Sequence, residues 1–342
     1  MKVFISAAEP SGDRIAAALM TEWKKMHPVE FVGISGPLMR KVGLKTIQPM
    51  EEFMAMGIVD VLKRLPQIVR ARRLALQCLT EVAQCICIDA PDFHLPILNH
   101  AKQNKIRAVG IVSPQIWAWR RNRASKIARK MDQLLCLFDF EPSLYPSGFD
   151  ARFVGHPIQQ WTTPRTKFTA NEFAFFPGSR PQEIKRHLPL YVQTAHALKR
   201  LNPEARFTLS LPQSVTPPLL PKGMTVHHNG AQMARSAQAA LCKSGTITLE
   251  LACMNVPMVV AHRVHPITYW IGRTLLKGVK HISLPNILSQ RLAVPEFIQP
   301  KDPSFLARQL YHLPNKQKIN FSPITSKNAI QSMLKSIISH TE

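Results

Sequence analysis

Long apolar runs are missing from this chain. Nowhere do roughly 18 uninterrupted apolar residues follow one another, the length a membrane-spanning helix requires. The first residues offer only three consecutive bulky apolar positions before Glu9 and Asp13, too few for a signal h-region. The chain is therefore expected to stay on the cytoplasmic side. Paired metal-ligand spacings are missing too: the six cysteines, Cys78, Cys85, Cys87, Cys136, Cys242 and Cys253, form no CxxC pair and have no nearby His pair at zinc spacing. Buried free thiols and no metal site are expected. There is no short-period repeat and no low-complexity tract. Acids are scarce: 21 Asp and Glu stand against 44 Lys and Arg, for a net charge of +23. That excess predicts an anionic partner, whether nucleic acid, substrate phosphates or an acidic membrane surface.

What is present is globular. Hydrophobic residues make up 45% and charged residues 19% of 342 positions, enough to fill sizeable cores. The length suits two domains of roughly 100–200 residues each. Residues 1–6 read as a buried strand and Glu9-Pro-Ser-Gly-Asp13 as a turn into a helix over residues 14–25. The order recurs at residues 85–89 into Ala90-Pro-Asp-Phe93, at residues 108–112 into Ser113-Pro-Gln115, and at residues 133–138. Apolar strand-like runs alternating with helices indicate a parallel sheet covered on both faces. A Thr-rich stretch over residues 159–171 reads as a linker. A second series then begins at residues 173–176, 206–211, 239–242 and 257–261. The predicted class is α/β, with two doubly wound domains, residues 1–160 and 161–320, facing a cleft. An amphipathic closing helix is expected in residues 321–342. Ligands in such sheets bind beyond the carboxyl ends of the strands.

Several turns carry candidate chemistry. Pro177-Gly-Ser-Arg180, followed by Glu183, puts amides and a guanidinium where an anion can sit, though a bare strand-to-helix turn reads the same way. Ser244-Gly-Thr-Ile-Thr-Leu-Glu250 opens a helix with small residues; Glu250 either accepts ribose hydroxyls or favours the helix dipole. Asp92 is placed to enter a cleft as a general base, while Asp89 suits fixing the turn backbone; for a loop aspartate taken alone, turn-making is the competing reading. Ser113-Pro-Gln-Ile-Trp-Ala-Trp119 precedes an acid-free basic run from Arg120 to Lys130, which fits stacking on bases, a sugar phosphate, a membrane-facing mouth, or a solvated helix. Phe53-Met-Ala-Met-Gly-Ile-Val-Asp-Val-Leu-Lys-Arg-Leu-Pro66 leads into Arg70, Arg72 and Arg73, a pattern shared by interfacial segments and core helices. His156, between Gly155 and Pro157 at the expected domain junction, is either structural or a phosphate or hydroxyl contact.

Taken in order, these strings resemble the lipid A disaccharide synthase family along nearly the whole chain. The matching blocks are Ala7-Ala-Glu-Pro-Ser-Gly-Asp13, Gly33-Ile-Ser-Gly-Pro37, Met56-Gly-Ile-Val-Asp-Val-Leu62, Ile88-Asp-Ala-Pro-Asp-Phe93, Ser113 to Trp119, Phe140-Glu141 and Val154-Gly-His-Pro157. They continue with Pro177 to Arg180, Ser244 to Glu250, Ser283-Leu-Pro-Asn-Ile287 and Val294-Pro-Glu-Phe297. The resemblance implies a two-domain, Rossmann-like glycosyltransferase of the GT-B type in lipopolysaccharide biosynthesis of a Gram-negative bacterium. The implied donor is UDP-2,3-diacylglucosamine and the acceptor 2,3-diacylglucosamine 1-phosphate, joined β-1,6 with inversion and release of UDP. It implies no cofactor and no metal, the UDP-sugar being a substrate.

The same resemblance assigns roles. Asp92 accepts the hydroxyl proton and Arg180 offsets charge on the diphosphate. Ser179, Ser244, Gly245 and Thr246 lie near the phosphates and Glu250 holds the ribose. Glu9, Ser11 and Gly12 shape the acceptor side, and Asn286 and Glu296 fall near the cleft without an assigned role. The partner expected is the anionic inner face of the inner membrane, met through Phe53 to Arg73 and Arg120 to Lys130, with a homodimer compatible and no nucleic acid. Departures from the family pattern are Ala8 for glycine, His94 for asparagine, Asp139 for proline and His262 for tyrosine. The other readings weighed are a related GT-B enzyme acting on another lipid-linked acceptor and, from the charge alone, a nucleic-acid-binding protein, for which no RNA-binding signature is present.

Overall fold

Runs such as Val3-Phe-Ile-Ser-Ala7 and Phe173-Ala-Phe-Phe176 leave almost no polar face, so each forms a strand buried on both sides. Proline opens many of the intervening helices, where its missing N–H is one that a first turn leaves unpaired anyway. The computed structural model describes residues 1–53, 57–119, 121–213, 215–217, 220–221, 223–228, 230–264, 281–313, 319, 321–326 and 328–339. The side chains of residues 57–63, 118–119 and 121 also lie outside the described set.

The described chain divides into two compact units, Met1–Pro157 with Pro323–Glu342, and Ile158–Ser322. In chain order the first holds β1 (Lys2–Ala7), α1 (Pro10–Met26), β2 (Glu30–Ser35), α2 (Pro37–Lys41), β3 (Lys45–Pro49), α3 (Gly57–Cys78), β4 (Gln84–Ile88), α4 (Pro91–Gln103), β5 (Arg107–Ile111), α5 (Ile116–Trp119), α6 (Ala124–Ala128), β6 (Gln133–Cys136) and β7 (Asp150–Phe153). The second holds α7 (Ile158–Trp161), β8 (Glu172–Phe176), α8 (Pro181–Leu201), β9 (Arg206–Ser210), β10 (Met224–His227), β11 (Ala239–Cys242), α9 (Thr246–Cys253), β12 (Met258–His262), α10 (Leu284–Ser289), β13 (Glu296–Ile298) and α11 (Pro303–Tyr311). Helix α12 (Ala329–Ile338) belongs to the first unit, where it packs on α1. The Arg107 guanidinium satisfies its last turn, donating to the carbonyls of Ile337 at 2.6 Å and Ser336 at 3.3 Å.

Both sheets are parallel in every described pairing, with orders β3-β2-β1-β4-β5-β6-β7 and β10-β9-β8-β11-β12-β13. Each is doubly wound: the direction of strand addition reverses between β1 and β4 in one and between β8 and β11 in the other. At such a reversal the connections leave to opposite faces and open a crevice past the strand ends. The register sets the strand ends level there, Ala7 opposite Ile88 and Phe176 opposite Cys242. Two α/β units of this kind are the Rossmann-like architecture expected from the alternating pattern.

The expected linker is tied to the second unit. The Arg165 guanidinium donates to the carbonyls of Asn255 at 3.0 Å, Ala237, and Gln238 at 3.4 Å. All six cysteines are free; Cys85, Cys87, Cys136 and Cys242 are buried and Cys78 and Cys253 half-buried.

Candidate functional site

In the first unit the turns after β1 and β4 flank the point of reversal. Glu9 is the residue before α1, and its carbonyl accepts from the Asp13 amide at 2.9 Å. Gly12 lies where a Cβ would come 3.2 Å from the Ile88 carbonyl oxygen, so its small size lets α1 approach β4. Ser11 joins the two turns, its hydroxyl donating to Asp89 Oδ2 at 3.3 Å. Asp13 is turned away from the reversal. Its carboxylate accepts from the amides of Gly36, Leu38 and Met39 at 3.1, 2.9 and 3.0 Å and so caps α2.

The β4–α4 turn is strained. Asp89 and Ala90 both adopt positive φ, 58° and 44°, without being glycine, a conformation that costs about 1–3 kcal/mol per residue. The Asp89 amide donates to the Ile111 carbonyl and its Oδ1 accepts from the Ala90 amide, both at 2.9 Å. Asp92 follows in the first turn of α4 with its side chain 90% exposed. Arg123 Nη2 stands 3.6 Å from Asp92 Oδ1. Pro96 lacks the N–H that would bond back to Asp92 in a regular helix, and Arg72 Nη2 donates to the Asp92 carbonyl instead, at 3.2 Å. Thus two arginines from the basic segments singled out in the sequence meet at Asp92. Arg120, in that same run, and residues 54–56 lie outside the described residues.

His94 is buried beneath this turn. Its Nδ1 lies 2.7 Å from the Asp89 carbonyl oxygen and its Nε2 2.8 Å from Ser6 Oγ. Burial, aided by the charge of Arg72 and opposed by the Asp89 hydrogen bond, lowers its pKa to about 4, so the ring is neutral. His156 is also buried and neutral, lowered to about 3 by burial and the nearby charge of Arg14. Its ring lies 6.0 Å from that of Phe138. Glu141 is buried without a cation at hydrogen-bonding distance among the described residues, its Oε2 accepting from the Leu137 and Phe138 amides at 3.1 Å each. Burial outweighs those amides and pushes its pKa up to about 8.

In the second unit the turns after β8 and β11 flank the reversal. Gly178 has φ 135°, and a Cβ there would lie 2.5 Å from that of Glu183, so only glycine lets the turn fold over this carboxylate. Ser179 is exposed, and its amide donates to Glu183 Oε2 at 3.1 Å. Arg180 precedes the first turn of α8, with Nη1 3.9 Å from Glu183 Oε1. Lys243 reaches the same oxygen from the end of β11, at 2.7 Å. Burial works against the Glu183 charge. The charge and hydrogen bond of Lys243, the charge of Arg180 and the Ser179 amide nevertheless hold its carboxyl below the usual range. Two cations are thereby kept beside one buried carboxylate.

Past β11, Ser244 donates to the Ile282 carbonyl at 2.6 Å, Gly245 precedes α9, Thr246 is exposed in its first turn, and Glu250 is half-buried one turn on. His187 links the first turns of α8 to the end of β12: Nδ1 lies 2.7 Å from the Glu183 carbonyl, and Nε2 accepts from the Arg263 amide at 2.9 Å. Its pKa is lowered to about 4, chiefly by burial.

Asn286 and Glu296 serve the backbone. Asn286 is fully buried and exchanges two 2.8 Å hydrogen bonds with Val294. Glu296 accepts from the amides of Ile282 and Ser283 and from the Ser283 hydroxyl, the last at 2.7 Å, and so sets the entry to α10. Neither residue has a sequence neighbour that betrays this partner. The Lys243–Glu183 pair and the Ser6–His94 contact also lacked a local signal, since their members stand 60 and 88 residues apart. Among the described residues no group of three or more His, Cys, Asp or Glu is arranged to hold a metal ion.

The sequence matches the family described as lipid-A-disaccharide synthetase over residues 3–341. A lipid-A-disaccharide synthase of Pseudomonas fluorescens is 38% identical over 336 residues, covering 92% of this chain and 88% of the relative. The fold is similar to that of the UDP-GlcNAc 2-epimerase of Methanocaldococcus jannaschii, solved with UDP-GlcNAc and UDP (TM-score 0.62, 8% identity, 99% of this chain and 100% of that one). It is similar as well to a calicheamicin glycosyltransferase (TM-score 0.57, 11% identity, 99% and 94%). The two parallel sheets, each with its switch point lined by the turns described, are the GT-B architecture. The chain belongs to the lipid-A-disaccharide synthase family and is a glycosyltransferase that joins 2,3-diacylglucosamine from UDP-2,3-diacylglucosamine to 2,3-diacylglucosamine 1-phosphate, releasing UDP.

Proposed function

We propose that the first unit activates the acceptor through Asp92 and the second receives the nucleotide through Arg180, Lys243 and Glu250. The observation that supports this most is the placement of Asp92 and of Arg180 with the Ser244–Gly245 turn at the two switch points, where sheets of this type bind ligands. The 6-hydroxyl oxygen of the acceptor attacks the anomeric carbon, and its proton passes to the Asp92 carboxylate. The bond from that carbon to the UDP oxygen breaks with its electron pair going to the diphosphate, so the anomeric centre inverts. Arg180 balances the charge that grows on the leaving group. The Ser179 and Thr246 regions meet the phosphates, and the Glu250 carboxylate accepts the ribose hydroxyls. Glu9 and Ser11 border the acceptor. The test is release of UDP by the purified protein in chelated buffer. It is expected only when both acylated sugars are supplied, and Asp92→Ala is expected to lose turnover while keeping UDP.

The proposal extends to the membrane. No described helix is long and apolar enough to cross one. On α3, however, Leu65 and Val69 are 47% and 46% exposed and line an open groove with Pro66, Arg70, Arg73 and Leu74. Exposed apolar side chains rimmed by arginines suit the anionic inner face of the inner membrane. The run from Arg123 to Lys130 adds charge to the same unit. Vesicles containing anionic lipid should bind the protein in preference to RNA at equal ionic strength.

A further inference from the structure

The geometry points to His94 as a positioning residue that holds the β4–α4 turn, and with it Asp92, through one imidazole bonded to both Ser6 and the Asp89 carbonyl. This rests on Asp92 being the base. A carbonyl oxygen only accepts, so the proton must sit on Nδ1, which donates to Asp89 O at 2.7 Å. Nε2 then presents a lone pair and accepts the Ser6 hydroxyl at 2.8 Å. A single neutral tautomer satisfies both bonds, and burial of the ring favours it.

The bond falls where the turn needs it. Asp89 and Ala90 share one peptide unit, and both are left-handed. Its N–H end is tied to Asp89 Oδ1 and its C=O end to His94. Two residues further on is Asp92, so a rotation of this peptide swings the carboxylate. Ser6 belongs to β1 and Asp89 follows β4, so the ring also spans the switch point itself. Phe93 stacks on Phe53 with centroids 4.9 Å apart and meets the His94 ring edge-on at 5.1 Å, which fixes the imidazole plane.

The experiment is a mutant cycle on the full chain, reading kcat, KM for both sugars and UDP binding. His94→Phe keeps the ring and removes both bonds. It should lower kcat about tenfold or more, as small misplacements of a reacting group do, with KM and UDP binding within about twofold. His94→Asn, whose side-chain N–H reaches the Nδ1 position, should recover to within about threefold of the unsubstituted enzyme. In an Asp92→Asn background His94→Phe should cost nothing further, because the group being positioned is gone. Equal loss in both backgrounds, or His94→Asn as slow as His94→Phe, would overturn the proposal. Normal turnover by His94→Phe with an inactive Asp92→Asn would sink the proposal alone, whereas normal turnover by Asp92→Asn would sink the base assignment beneath it. Should His94→Phe fail to fold, histidine 15N spectra of the unsubstituted protein at neutral pH decide. A protonated Nδ1 and bare Nε2 at His94 are expected, and the opposite tautomer refutes the idea.

Discussion

The turn after β4 and the turn after β8 each border the switch point of their sheet but are held by opposite chemistry. The first bends through two left-handed residues, neither of them glycine, and is fastened by uncharged donors from Ser11 and His94. The second gives its positive φ to Gly178 and is fastened by a buried carboxylate with Lys243 and Arg180 against it. The device they share is a neutral histidine, His94 or His187, whose Nδ1 donates at 2.7 Å to a carbonyl at the helix entrance. Under the proposed division of labour, the difference follows from what each turn would meet. An acceptor hydroxyl is uncharged until its proton leaves, so a base there needs fixed geometry more than fixed charge. A diphosphate arrives charged, and a carboxylate that stores two cations keeps them aimed while the site is empty.

That contrast can be broken most sharply at Asp92. Asp92→Ala should lower kcat about 10³-fold with UDP affinity unchanged, measured by turnover and by calorimetric titration. An equal loss of UDP affinity would erase the division of labour. Arg180→Ala comes next: kcat should fall about 10²-fold and UDP should bind more weakly, while KM for the acceptor stays put. At the lipid surface, serine at both Leu65 and Val69 should weaken sedimentation with anionic vesicles about tenfold. Serine at Leu201, which is 45% exposed on α8 of the second unit, should leave it unchanged. If Leu201 mattered equally, the lipid contact would not be particular to α3.

The smallest effects are on stability, and they separate two buried carboxyls by sign. Glu141 has its folded pKa raised to about 8 from 4.5, so the folded state holds a proton that the unfolded chain has released. Its stabilising contribution is complete below the unfolded value and is lost as pH rises through about 8. Glu141→Gln should flatten that decline by on the order of 1 kcal/mol. Glu183 is depressed, so its contribution is present above the unfolded value of 4.5 and fades as pH falls. Glu183→Gln should remove that acid sensitivity. Hydrogen exchange read separately in each unit checks both, and the same slope in the two units would contradict the assignment.

Much of the sheet frame was legible from residues alone. Strands β1, β4, β5, β8 and β11 are apolar runs, and the parallel sheet buries both their faces, so little but apolar character marks them. β7, β10 and β13 are short, at sheet edges, and carry exposed side chains, Arg152, Thr225 and Ile298 among them, so no such run announces them. The closing helix was visible in the spacing of Ile330, Met333, Leu334 and Ile337, all buried. Its membership in the first unit was not, because the Arg107 that caps it lies 230 residues away.

The same division runs through the site. By itself the sequence determined the strand–turn–helix units that bring Asp92, Arg180 and Glu250 to strand ends, because strand and helix signals and the entry prolines act over a few residues. Only the tertiary structure decided what surrounds them: Arg72 on the carbonyl that Pro96 leaves open, His94 between Ser6 and Asp89, and Lys243 on Glu183. Those contacts join chain segments whose meeting is set by strand order and register, and hydrogen bonds and charges act at the distances that order creates rather than along the sequence.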